Sequence, residues 1–231
     1  MLLAIDTATR LISLALYDGH DLHAERTWRT ANQHSAELMP AIQHMLAAAG
    51  ILPTTLTALA VSQGPGSFNG LRIGISTAKG LAMALRLPLI AIPTLEVVAA
   101  QHRPAPADPP YFGATAQAGR GRVCLAWYRW QHGQTGEGGR WAAEGSPHIV
   151  GWEALIAAAN ALGGALIGGE IDPAGRAALT AAGIPYVGAA TMLRRAGYLA
   201  ELAWARWQAG DFGPPESVTP IYLHQPGVPH P

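Results

Sequence analysis

Val61-Ser62-Gln63-Gly64-Pro65-Gly66-Ser67-Phe68-Asn69-Gly70-Leu71-Arg72-Ile73-Gly74-Ile75-Ser76-Thr77-Ala78-Lys79-Gly80-Leu81 reads as the end of a strand, a tight loop and a helix. The apolar run from Thr57 to Val61 is a buried strand, and Gly64-Pro65-Gly66 breaks it. Ser67 and Asn69 can each cap the helix, because a side-chain oxygen there accepts from the orphan N–H groups of the first turn. A glycine-rich loop feeding a helix N-terminus is a ready anion site. The usual forms do not fit, however. A P-loop needs a lysine directly after its last glycine, and none follows Gly70. A dinucleotide fingerprint needs a third glycine where Asn69 stands, and the first acidic residue downstream is Glu96. A sharp turn requiring positive φ is the better reading.

The helix is more informative. Gly70, Gly74, Ala78 and Ala82 recur every four residues beside Leu71, Ile75 and Leu85, so one side is both smooth and apolar. Small residues let another backbone approach closely, and that neighbour is either a helix of the same chain or a helix of a second subunit. Arg72, Ser76, Lys79 and Met83 share another face, which is solvated or, less simply, an anion contact. Upstream, His34 to Ala49 is an amphipathic helix with His34, Leu38, Ile42 and Leu46 in one line and Met39 and Met45 beside it. His34 and His44 are separated by about 1,000° of helical rotation and face different ways. No His-x-x-x-His occurs in the chain, which argues against a metalloprotease.

The 231 residues suffice for one large domain or two small ones. Basic and acidic residues balance at 15 each, so no overall field attracts nucleic acid or an anionic membrane. Charged residues make up only 13%, which suits an extensive protein interface or a high-GC coding bias. The single Cys124 excludes an internal disulfide and a multi-cysteine zinc site and fits a reducing compartment. With no long apolar run and no signal-peptide pattern, a cytoplasmic protein away from the membrane is expected.

Leu2–Ile5, Leu11–Tyr17 and Asp21–Trp28 read as a three-stranded meander with a hairpin turn at Asp18-Gly19. Asp6-Thr7-Ala8-Thr9 lies at the first tip, where a carboxylate and hydroxyls could meet a phosphate or metal; an Asx or ST turn explains it more simply. A strand at Leu87–Ile92 and a helix from Thr94 to about Gln101 complete the order βββαβαβα. That order matches the ribonuclease H-like half of the actin, Hsp70 and sugar kinase fold. Residues 103–110, rich in proline, read as a linker. Residues 111–210 restart with strands at Tyr111–Gln117 and Arg122–Trp130 and a loop at Gly133–Gly139. A helix at Trp152–Leu162, a strand at Ala165–Ile167, a helix at Pro173–Ala182, a strand at Pro185–Val187 and a helix at Thr191–Ala209 follow. Trp127, Tyr128 and Trp130 suit a hairpin core better than an RNA-stacking platform, and Trp204 and Trp207 read as packing residues. Residues 211–231 are rich in Gly and Pro and read as a tail, with Pro220-Ile221-Tyr222-Leu223 as its one ordered-looking piece.

Gly64-Pro65-Gly66-Ser67-Phe68-Asn69-Gly70-Leu71-Arg72-Ile73-Gly74, followed by Thr77-Ala78-Lys79-Gly80-Leu81-Ala82, closely resembles the signature of the TsaB (YeaZ) family, with Asn69 where Thr is usual. Ile5-Asp6-Thr7, Leu38-Met39-Pro40, Pro88-Leu89-Ile90, Thr94-Leu95-Glu96 and Pro220-Ile221-Tyr222-Leu223 also look like landmarks of that family in the same order. The resemblance implies an α/β, actin-like ATPase (ASKHA) fold of two ribonuclease H-like lobes, each a mixed sheet flanked by helices. Residues 1–102 would form the first lobe and 111–210 an irregular second one.

The resemblance further implies a chain without catalytic, cofactor or metal residues of its own. It would pair with and activate TsaD, and with the ATPase TsaE serve threonylcarbamoyl transfer to the adenosine beside the anticodon in tRNAs reading A-starting codons. tRNA would be met only through the complex, and a homodimer of the lone chain is a further option. Family members pair through the first-lobe helices, which places the partner interface at Leu38, Met39, Ile42, Met45, Leu46, Leu71, Gly74, Ile75, Ala78 and Ala82. On that placement, Gly74→Arg would abolish pairing and leave the chain folded. The signature loop is Gly64, Pro65, Gly66, Ser67, Asn69 and Gly70. One departure stands out: Gln117-Ala118-Gly119-Arg120 occupies a turn that often carries Asp in the family, which weakens any independent catalysis. A stand-alone actin-like ATPase or phosphotransferase using Asp6, Thr7 and Thr9 remains the alternative.

Overall fold

The computed structural model describes residues 1–30, 33–132 and 139–223. In chain order the elements begin with β1 (Leu2–Asp6), β2 (Leu11–Tyr17), β3 (Leu22–Arg29), α1 (His34–Ala48), β4 (Ala58–Ser62), α2 (Phe68–Leu85), β5 (Leu89–Ile92) and α3 (Thr94–Ala100). They continue with β6 (Tyr111–Gly119), β7 (Arg122–Gln131), β8 (Arg140–Gly151), α4 (Trp152–Ala161), β9 (Leu166–Gly169), α5 (Pro173–Ala181) and α6 (Ala196–Gln208). Among the described residues, Met1–Val97 and Arg194–Ile221 form one compact unit, and Val98–Leu193 with Tyr222 and Leu223 form a second.

The first unit is built on a five-stranded sheet of order β3-β2-β1-β4-β5. β1, β2 and β3 pair antiparallel, whereas β4 and β5 join parallel. This is the ribonuclease H-like order read from the sequence. Side chains alternate across a strand, so β1 divides its residues between two cores. Leu3 and Ile5 meet Leu38, Ile42, Met45 and Ile75 of α1 and α2 on one face. Leu2 and Ala4 meet Ala196, Leu199, Ala200 and Ala203 of α6 on the other. That second face is lined by Ala15, Ala58 and Ala60, and a helix presenting alanines can lie close against it.

The position of α6 corrects the expected division of the chain. The second lobe was expected to run over 111–210, yet the chain re-enters the first unit at Arg194. Sequence neighbours usually pack together, and here a complementary alanine surface prevails over proximity in sequence. The helix also begins at Ala196, later than the expected Thr191. Residues 211–231 are not wholly a tail either. Val218 is buried in the core beneath α1 and α2, Ile221 N–H donates to the Gln63 carbonyl at 2.8 Å, and Pro215–Ser217 forms a 3-10 turn. Trp204 packs edge-on against Tyr17 and Trp207, as expected of packing residues.

The second unit repeats the motif in shortened form, with sheet order β8-β7-β6-β9. β6–β7–β8 are antiparallel and β9 adds parallel to β6. α4 and α5 cover one face through Trp152, Leu155, Ala159 and Leu179. β8 went unread in the sequence, because Gly145-Ser146-Pro147 interrupts the pattern and the strand is an edge with one face open. The strand expected at Pro185–Val187 is reduced to a bridge between Ile167 and Tyr186. Of the loop expected at Gly133–Gly139, only Gly139 lies within the described residues. Tyr128 is buried, and Trp130 packs edge-on against Trp141 at 5.1 Å, so these rings belong to the hairpin's own packing.

Leu199 is fully buried between α6 and the sheet. Leu199→Ala is expected to lower unfolding stability by about 2–5 kcal/mol. Urea denaturation would measure it, and a loss below about 0.5 kcal/mol, the ordinary range of a surface change, would contradict the packing of α6.

Candidate functional site

The turn joining β1 to β2 and the loop joining β4 to α2 meet at the C-terminal ends of the central strands. Asp6 ends β1 with no exposure. Its Oδ1 accepts from Ala8 N–H at 2.9 Å and from Ser62 Oγ–H at 2.8 Å, and its Oδ2 accepts from Arg194 Nε–H. Arg194 also donates from Nη2 to Thr9 Oγ1 at 3.0 Å, and Thr9 Oγ1 accepts Leu11 N–H at 3.2 Å. The expected Asx and ST turns are therefore both present, at Asp6 and at Thr9. Thr7, fully buried, donates its hydroxyl to the Gly70 carbonyl at 2.8 Å. No carboxylate oxygen of this turn looks into open space, because each is engaged and Asp6 is wholly enclosed.

The signature loop is held from several sides. Ser67 N–H donates to the Ala8 carbonyl at 2.6 Å, and Thr94 N–H to the Gly64 carbonyl at 2.8 Å. Gly64 N–H in turn donates to Thr94 Oγ1 at 3.0 Å. Gln63 Nε2 donates to the Thr219 carbonyl at 2.8 Å. Gly64 stands at φ +108°, a conformation that favours glycine, and the Gly64–Pro65 peptide is cis. Of the two candidate caps, Ser67 caps α2, accepting Gly70 N–H at 3.3 Å, while Asn69 lies within the helix.

The smooth row of α2 faces inward. A Cβ on Gly70 would collide with the Thr7 carbonyl, and one on Gly74 with the Thr7 hydroxyl. The close neighbour of the glycines is thus the β1–β2 turn of the same chain. Leu38, Ile42, Met45, Leu46, Leu71, Gly74, Ile75, Ala78 and Ala82 are all buried within the chain, and of the residues expected at a partner interface only Met39 is partly exposed. That expectation is corrected. The most apolar row of an amphipathic helix seeks its own core first, so Gly74→Arg would damage the fold before it reached any partner.

The outward faces carry different residues. On α1 they are Ser35, Ala36, Pro40, Gln43, His44, Ala47 and Ala48; on α2 they are Phe68, Asn69, Arg72, Ser76, Gly80, Met83 and Ala84. Arg72 is the sole Arg, Lys, Asp or Glu among them, and it lies over the Phe68 ring at 5.1 Å. Met83 is 58% exposed, and the space over Gly80 is open. The signal for this face was in the sequence: it is what remains once the apolar row is assigned to the core.

Elsewhere, the Gln117 turn gains a carboxylate from another element, with Glu170 Oε2 accepting Gln117 N–H at 2.9 Å. Burial pushes the Cys124 thiol up to about 11, so it is a thiol at neutral pH and a poor nucleophile. Trp28 Nε1–H and Thr30 Oγ1–H hold the Glu37 carboxyl below its usual range, fixing the first turn of α1 to β3. His34 is buried and His44 exposed, so they do face different ways. Among the described residues no three His, Cys, Asp or Glu side chains cluster as a metal would need, and no helix is long and apolar enough to cross a membrane.

The two glycines of α2 are expected to respond oppositely to a methyl group. Gly74→Ala should cost about 1–3 kcal/mol through overpacking against Thr7, whereas Gly80→Ala should stabilise by up to about 1 kcal/mol through helix propensity. Thermal or urea unfolding measures both, and equal responses would mean that the helix is rotated from the phase described.

A family model described as TsaD, tRNA N6-adenosine threonylcarbamoyltransferase, matches residues 28–142. The chain is 41% identical over 98 residues to the tRNA threonylcarbamoyladenosine biosynthesis protein TsaB of Escherichia coli, and 37% identical over 102 residues to that of Bacillus subtilis. The matched stretch covers 42% and 44% of this chain, and the same shares, less than half, of those curated relatives. Over nearly the whole chain the fold is similar to YeaZ from Pseudomonas aeruginosa, with TM-score 0.76 and 26% identity, covering 96% of this chain and 99% of that one. The signature loop, the sheet order and these likenesses agree: the chain is similar to TsaB (YeaZ) proteins, in sequence over about 100 residues and in fold over nearly its whole length.

Proposed function

We propose that this protein is a non-catalytic subunit in the biosynthesis of threonylcarbamoyladenosine in tRNA, acting by pairing with TsaD and activating it. The observation that carries the reading is the closed β1–β2 turn. Asp6, Thr7 and Thr9 are the side chains that a lone actin-like ATPase would need at its phosphate turn, and all three are buried and bonded within the chain. A carboxylate already neutralised by a guanidinium and saturated with donors gains little from a further cation or phosphate. The stand-alone ATPase or phosphotransferase is therefore the weaker alternative.

The outward faces of α1 and α2 are where we place the partner. They are poor in charge, rich in small residues and include Met83 and Phe68 as exposed apolar groups. Charge depletion with apolar anchors is what distinguishes the centre of a protein interface. In this reading the ATPase TsaE joins the pair in the cytoplasm, tRNA is met through the complex, and the lone chain can form a homodimer through the same faces.

Two measurements test the reading. Threonylcarbamoyladenosine formation on unmodified tRNA, reconstituted from a TsaC-type enzyme, TsaD, TsaE, ATP, threonine and bicarbonate, is expected to require this chain. It is also expected to fail when the chain replaces TsaD. Product formed equally well without the chain would overturn the role. Gly80→Arg, directed into open space, is expected to keep the melting temperature and abolish co-elution with TsaD. Co-elution retained by that folded variant would move the interface elsewhere.

A further inference from the structure

Three helix N-termini converge on the turn between β1 and β2. The α2 end meets it through Ser67 N–H on the Ala8 carbonyl and through the Thr7 hydroxyl on the Gly70 carbonyl. The α1 end meets it through the buried His34, whose Nε2–H donates to the Thr9 carbonyl at 3.0 Å. The α6 side meets it through Arg194, which reaches Asp6 and Thr9 together. Asp6 and Arg194 lie 188 residues apart in sequence and are 0% and 3% exposed.

The start of α6 has other fastenings. Ala196 N–H donates to Ser13 Oγ at 2.8 Å, and Glu25 accepts both Gly197 N–H at 2.7 Å and Arg195 Nε–H at 2.7 Å. Arg194 is therefore not needed to keep α6 on the sheet. What it supplies is a cation at Asp6 that also donates to Thr9, so that one guanidinium joins the two side chains that set the ends of the turn.

We propose that Arg194 is a positioning residue for α1 and α2. Through Asp6 and Thr9 it fixes the β1–β2 turn, and the turn in turn fixes where both helices begin. The C-terminal return of the chain thus controls the alignment of a helix pair on the opposite face of the sheet. This holds whatever those helices contact outside the chain. Guanidinium geometry matters here, since one planar fork serves two acceptors, which a lysine cannot reproduce.

Hydrogen exchange on the full chain, read segment by segment, tests it. In Arg194→Gln, amide exchange is expected to rise at least tenfold in 7–11, 34–38 and 67–74, with little change in 199–208 or in the second-unit sheet. Asp6→Asn should give the same pattern, and Asp6→Asn with Arg194→Gln together should recover much of the protection, because removing one member of a buried pair is worse than removing both charges. Arg194→Lys guards against a failure of the glutamine variant to fold, and its exchange should rise in the same three segments to a smaller degree. A rise spread evenly over the first unit, or one confined to 194–199, would overturn the inference and reduce Arg194 to a local fastening of α6.

Discussion

A carboxylate with no exposure and no counter-charge would be too costly to keep ionised inside a protein. Asp6 is kept by dividing its oxygens among a backbone N–H, a serine hydroxyl and the Arg194 guanidinium. Much of the first unit follows from this arrangement. The turn it stiffens supplies the Thr7 hydroxyl beneath α2 and the Thr9 carbonyl before His34. The strand it ends is central in the sheet and lies between the two cores. A polar junction of this kind adds little net stability compared with an apolar one, but it tolerates few alternative arrangements. Its use here is to bring the end of the chain into register with its beginning.

The glycines of α2 belong to the same junction. Because the helix passes directly over Thr7, residues at 70 and 74 can carry no side chain, and the stripe of small residues is a consequence of that close approach. The opposite side of the helix is under no such constraint. It bears Ser76, Gly80 and Ala84 among a few larger groups, with Arg72 its one charge, so the scarcity of charge there has no explanation in the chain's own packing. That contrast is why the proposed partner surface lies on the outer faces and the signature loop is assigned a structural part.

The second unit uses the same order of strands with less material. Its turn at Gln117 lacks an aspartate, and Glu170 from the end of β9 lends a carboxylate to the backbone instead. His102, Trp130 and Trp141 pack with the buried Phe112 in a ring cluster that joins β8 to its neighbours.

The sequence by itself determined the order of strands and helices through Ala100, the loop that turns into α2 and the turns at Asp6 and Thr9. These depend on local patterns: period-two and period-3.6 hydrophobicity, glycines at a break, and hydroxyls and carboxylates beside free N–H groups. It also determined that α1 and α2 are each apolar along one row. Only the tertiary structure decided which way those rows face, because an apolar stripe suits its own core and a foreign surface equally well until a neighbour is specified. The assignment of α6 and of Val218 to the first unit, and the pairing of Arg194 with Asp6, were likewise beyond local reading. They join residues nearly the whole chain apart, and nothing in a window of a dozen residues records which distant surface has the complementary shape and charge.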